Sequence, residues 1–148
     1  MIHETGGQLL LHAVNHTAEQ AGIRAGMTLA DARAILPDLK TSEADIPAET
    51  KSLSRLADWC GRYTPWTAPD EEGSGAAFAG GGSIWLDVTG CAHLFGGEEA
   101  LMRDIIDRLD DLGFTAYAAI ADTPGAAWAA ARHTRYKRRR WTSVRKGQ

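Results

Sequence analysis

Apolar residues recur along this chain at strand-like and helix-like spacings in turn, and the order of those stretches predicts a mixed fold. Residues 8–14 carry a short apolar run that reads as a strand. Asn15 or Thr17 can cap a short helix that stops at Gly22, and Gly26-Met27 leads into a second helix. There Thr28 and Asp31 form a capping box, Leu29, Ala32, Ile35 and Leu36 follow at helical spacing, and Pro37 ends the run. Residues 40–47 are polar and interrupted, as a connection between units would be. A third helix is predicted over residues 48–63, with Leu53, Leu56, Trp59 and Cys60 on one face, before Thr64-Pro65-Trp66 breaks it.

Residues 71–82 are rich in Gly and Ala and read as a flexible hairpin turn ahead of a β-prone run at 84–89, which Gly90 ends. Residues 97–112 then predict a helix whose buried stripe is Leu101, Ile105, Ile106 and Leu109 and whose wet face is Glu98, Arg103, Asp104 and Asp107. Gly113 closes it. Residues 114–120 alternate as a strand, and Thr123-Pro124 opens an Ala-rich helix that runs to about His133. Helices interleaved with few strands imply an α+β fold: a sheet layer packed on one side by helices, with the first two helices as an appendage.

At 148 residues the chain has the length of one ordinary domain, and 44% hydrophobic with 24% charged residues is a composition that buries a core. No apolar run approaches the roughly 20 residues that span a bilayer, and Met1-Ile2-His3-Glu4 lacks the start of a secretory signal, so the cytoplasm is the expected location. Cys60 and Cys91 have neither metal-ligand nor redox spacing and read as two reduced thiols. His3, His12, His16, His93 and His133 share no common spacing that would suggest zinc or a nucleophile–histidine pair. The glycines precede no Lys-Ser/Thr at phosphate-loop spacing.

Charge changes the picture once it is placed along the chain. Half of the sixteen Lys/Arg lie in residues 132–148, which contain no Asp or Glu; residues 1–131 therefore hold eight basic against nineteen acidic residues, a net of −11. Arg132, Arg135, Lys137, Arg138, Arg139 and Arg140 are the candidate nucleic-acid contacts, since they can neutralise phosphates, and Trp141 beside them offers an indole for stacking. The same composition also fits a solvated, disordered end over residues 134–148.

Three blocks, in order, carry a family resemblance. Ala21-Gly22-Ile23-Arg24-Ala25-Gly26-Met27, with Ala30-Asp31-Ala32-Arg33 and Leu36-Pro37-Asp38-Leu39, resembles the fingers of Y-family (translesion) DNA polymerases. Ile84-Trp85-Leu86-Asp87-Val88-Thr89-Gly90 resembles their palm strand, and Ala119-Ile120-Ala121-Asp122-Thr123-Pro124-Gly125-Ala126-Ala127-Trp128-Ala129 the strand and helix after it. Cys91-Ala92-His93-Leu94-Phe95-Gly96-Gly97 between the last two is most similar to the ImuB-like, catalytically inactive branch. The resemblance covers residues 8–133 and implies a fingers-like helical subdomain over 8–40, a palm-like α+β region over 41–133, and a basic tail over 134–148.

Family chemistry needs a cluster of carboxylates holding two metal ions. The resemblance places an Asp-Glu pair five and four residues before the palm-strand Asp, and here those positions are Gly82 and Ser83, which cannot replace carboxylates at Mg²⁺. Asp87 itself is not a ligand in the family and reads as structural. The first palm strand, source of a third carboxylate, lies upstream of the fingers and is not found in this chain. The Tyr and Arg that hold the incoming triphosphate in active relatives align with His16 and Glu19, and the basic residues heading the last helix with Asp122, Pro124 and Trp128; Arg135 alone falls near a phosphate-contacting Lys of the family.

The resemblance thus implies a DNA-repair protein without polymerase activity, with no catalytic residue, metal or cofactor, binding DNA weakly at most. Family partners would be a sliding clamp and a replicative-type polymerase, through segments beyond the palm. Two other readings stand beside it: an active polymerase fragment, and a truncated remnant with no independent role, whose missing first strand would leave an exposed sheet edge.

Overall fold

The computed structural model describes residues 1–70, 82–134 and 140–144, and the chain divides into two compact units, Met1–Asp87 and Val88–Gln148. The first unit opens with a hairpin of β1 (Ile2–Thr5) and β2 (Gln8–Leu11). Gly6 and Gly7 make its two-residue turn at φ of 60° and 77°, a conformation that side chains with a Cβ resist. The hairpin extends the single strand expected over 8–14 backwards, and its edges are occupied: Ile2 exchanges backbone hydrogen bonds with Ser42 and Ala44, and Leu11 with Gly26 and Met27.

Two short helices follow, α1 (His16–Gln20) and α2 (Leu29–Ile35). Asn15 caps the first by accepting from the Ala18 amide at 2.9 Å, and Arg24 folds back to donate to the carbonyl of Glu19 at 2.7 Å. Thr28 caps the second, accepting from the Asp31 amide at 3.1 Å while its hydroxyl donates to the Asp31 carboxylate at 2.8 Å. Leu11, Ala18, Ile23, Leu29 and Ala32 form a buried cluster, and Ile2, Val14, Met27, Leu36 and Leu39 pack around it. Ile35, expected on the inner face of α2, is exposed.

Helix α3 (Ile46–Cys60) starts two residues before its expected position, because Asp45 caps it through the Ala48 amide at 3.0 Å with Pro47 in the first turn. It packs on the antiparallel pair β3 (Thr67–Asp70) and β4 (Ser83–Leu86). Ala57, Cys60, Tyr63 and Thr64 are its deepest neighbours, whereas Leu53, Leu56 and Trp59 are half-buried. Burial pushes the Cys60 thiol pKa up, against the opposing field of Arg62. The glycine-rich turn expected at 71–82 lies, except for Gly82, outside the described residues.

The second unit holds a 3-10 turn (Ala92–Phe95), α4 (Glu98–Asp111), β5 (Ala118–Ala121), α5 (Pro124–Thr134) and β6 (Trp141–Val144). Leu101, Met102, Ile106 and Leu109 are buried along α4. Gly113, at φ 85°, turns the chain out of the helix so that the Phe114 amide reaches the Leu109 carbonyl at 2.8 Å. Strands β5 and β6 pair in parallel, Ala118 opposite Trp141 and Ala121 opposite Val144, with α5 as the crossover and packed on both.

Within the end expected to be disordered, 134–148, the described residues 141–144 form a strand, in which the half-buried Trp141-Thr142-Ser143-Val144 run supplies the ladder partner of β5. The expected palm sheet is not what the described strands form: they pair as three two-stranded sheets. With five α-helices and these small sheets among the described residues, the chain is α+β.

Ile23 is 0% and Leu101 1% exposed, one in each unit. Replacing either by Ala leaves a cavity in a core that cannot close around it, so each variant is expected to lose about 2–5 kcal/mol, read as a lower urea midpoint. A loss under about 0.5 kcal/mol for Ile23→Ala would show that the short helices do not depend on this cluster.

Candidate functional site

Residues 140–144 of the basic segment run beside α4 within the second unit. Arg140 lies just before β6, and its amide carbonyl accepts from Ala118 at 2.9 Å. Its guanidinium forks onto the Asp110 carboxylate, one nitrogen to Oδ1 at 2.6 Å and the other to Oδ2. This contact holds the Asp110 carboxyl below its usual pKa and raises that of Arg140, to which Asp110 contributes first and Tyr117 and Asp107 less. At the other end of the strand the Ser143 hydroxyl donates to Glu98 Oε2 at 2.9 Å, and the Arg103 guanidinium carbon lies 5.8 Å from the Trp141 ring centroid. The indole expected to stack on bases is thus half-buried in a strand.

Arg132 sits in the last turn of α5 with its guanidinium carbon 4.2 Å from the centre of the Trp128 ring, one turn earlier. Arg135, Lys137, Arg138 and Arg139 lie outside the described residues. Of the six candidate contacts, the structure therefore locates two, Arg132 on an aromatic ring and Arg140 on a carboxylate.

Gly82 and Ser83, where the resemblance implies the carboxylate pair, lie at the entry to β4. A Cβ placed on Gly82 would meet Leu53 Cδ2 at 2.5 Å and Cδ1 at 2.7 Å, so a longer side chain there would need the end of Leu53 to shift. Ser83 pairs across the ladder with Asp70, an acidic residue that the sequence pattern did not single out. Asp87 is fixed through its backbone: its amide donates to the Trp66 carbonyl at 3.0 Å, and its carbonyl accepts from the Thr64 hydroxyl at 2.5 Å. His16 bonds Gln20 at 3.0 Å on α1, and Asp122 is exposed ahead of α5.

One polar contact was invisible in the spacing of the histidines. The hairpin brings His3 and His12 edge to face with ring centres 5.4 Å apart, and His12 Nε2 meets Glu49 Oε2 of α3 at 2.6 Å. The Gly6-Gly7 turn was the signal that could have placed His3 beside His12. Among the described residues, no three His, Cys, Asp or Glu side chains converge as metal ligands.

The Asp110 shift gives a pH dependence. A carboxyl whose folded-state pKa is depressed stabilises the fold above its unfolded value, near 3.9, and that contribution is lost as pH falls through the folded value. The melting temperature of the chain is therefore expected to exceed that of Asp110→Asn at pH 7 and low salt, with the gap closing below about pH 4. A gap that stays constant down to pH 2 would show that the ion pair contributes nothing to stability.

The model of the impB/mucB/samB family matches residues 2–132. Two proteins named Protein ImuB, from Caulobacter vibrioides strains NA1000 / CB15N and ATCC 19089 / CIP 103742 / CB 15, are each 45% identical to the chain over 111 residues. The aligned stretch is 75% of this chain and 22% of each relative, so the chain spans about a fifth of the length of these curated relatives. From the hairpin through α5, the chain belongs to the impB/mucB/samB family of the Y-family lineage and is ImuB-like.

Proposed function

We propose that the chain is a noncatalytic Y-family module of DNA damage tolerance whose remaining contact with nucleic acid is electrostatic and runs through residues 132–140. The observation that carries this reading is at Gly82 and Ser83. Two-metal phosphoryl transfer needs carboxylates there, and the chain has a position without a side chain, faced by Leu53, followed by a hydroxyl. Backbone and hydroxyl oxygens leave the charge of two Mg²⁺ ions uncompensated. Support also comes from Glu19 and Asp122, whose negative charge stands where active relatives attract a triphosphate.

In this reading residues 8–40 correspond to the fingers and residues 41–133 to the palm. Contacts with a sliding clamp and a replicative-type polymerase, and a cytoplasmic location, belong to the reading as properties of the longer family protein. No helix among the described residues is long and apolar enough to cross a membrane.

The test is binding of a fluorescent primer–template across a salt series, together with primer extension under Mg²⁺ and all four deoxynucleotides. Binding is expected to weaken as salt rises, with no extension. Changing Lys137, Arg138 and Arg139 together to Gln removes up to three phosphate contacts and should flatten the slope of log K against log salt by as much as about 2.7. Extension of the primer would sink the noncatalytic reading, and undiminished binding by the triple variant would move the DNA contact away from this segment.

A further inference from the structure

Among the described residues, Arg140 of the basic segment is ion-paired with the acidic body. Arg140 is 31% exposed at its side chain and bonds both oxygens of Asp110, thirty residues earlier in the chain. Asp107, three residues before Asp110 on α4, adds its field to the same group. A carboxylate and a phosphodiester offer a guanidinium the same two-oxygen fork, so the Nη1–Nη2 edge that Arg140 gives to Asp110 is closed to a phosphate while the pair is made. Neither the Ala118–Arg140 backbone bond nor the Ser143–Glu98 contact uses the guanidinium, so the side chain can leave Asp110 while β6 stays paired. An exposed ion pair of this kind exchanges readily and is screened by salt.

We propose that Asp110 acts as an internal phosphate mimic that occupies the forked edge of Arg140, and that a nucleic-acid backbone must displace this carboxylate before that edge can join the contact. The proposal rests on the nucleic-acid reading above and adds a competitor built into α4. It makes the acidic helix a brake on binding, graded by the local concentration of phosphate.

The experiment compares primer–template affinity for the full chain and for Asp110→Asn, Asp111→Asn, Arg140→Ala and the Asp110→Asn/Arg140→Ala pair. Asp111 is the neighbouring exposed acid and carries the same charge change without the fork. Asp110→Asn is expected to bind about two- to fivefold tighter, the range an exposed pair can withhold. Asp111→Asn should gain less. Arg140→Ala alone should change affinity less than twofold and should erase the gain when combined with Asp110→Asn.

A gain equal in Asp110→Asn and Asp111→Asn, or one that survives Arg140→Ala, overturns the proposal in favour of bulk charge. If the full chain binds and Asp110→Asn leaves affinity unchanged, the brake fails while the nucleic-acid reading stands; if no version binds, both fall. In the unaltered chain, the Arg140 side-chain NMR resonance should move on titration with primer–template, and a resonance that stays fixed at saturation would also overturn the proposal.

Discussion

Short elements hold this chain together only by covering one another. An isolated helix of five or seven residues is unstable in water, and so is a lone two-stranded hairpin; α1, α2 and the β1–β2 pair therefore all depend on the apolar cluster around Ile23. The caps at Asn15 and Thr28 and the bonds from Arg24 satisfy the backbone groups that such short helices leave open. The second unit solves the same problem through a strand–helix–strand crossover, in which α5 and α4 pack on the parallel pair β5–β6.

Packing and chemistry are linked at the entry to β4. The family pattern implies a carboxylate pair there, and Gly82 lets Leu53 of α3 close over the position. A side chain at residue 82 would require the end of Leu53 to move.

The charge distribution works in the other unit. An acidic helix beside a basic segment would attract it through any solvent-exposed geometry, but the structure resolves the attraction into one ion pair, Arg140 on Asp110, and adds a hydrogen bond from the neutral Ser143 hydroxyl to Glu98 and the packing of Arg103 beside Trp141. These contacts hold residues 140–144 of the stretch that composition alone presents as solvated, and they place the Arg140 charge against a carboxylate.

The sequence by itself determined most of the element order, the α4 stripe at Leu101, Ile106 and Leu109, the caps at Thr28 and Gly113, and the family lineage, because each rests on local spacing or on a string of neighbouring residues. It missed β1, whose four residues show little alternation but sit behind the Gly6-Gly7 turn, and β3, where Pro69 argues against a strand. Only the tertiary structure decided that Trp141–Val144 is a strand, that Arg140 is held by Asp110, that His12 meets Glu49, and that Leu53 fills the space beside Gly82. Each of these joins residues about thirty or more positions apart or depends on a parallel partner across a helix. Such pairings are set by which surfaces are buried together, a property of the folded chain that no local pattern encodes.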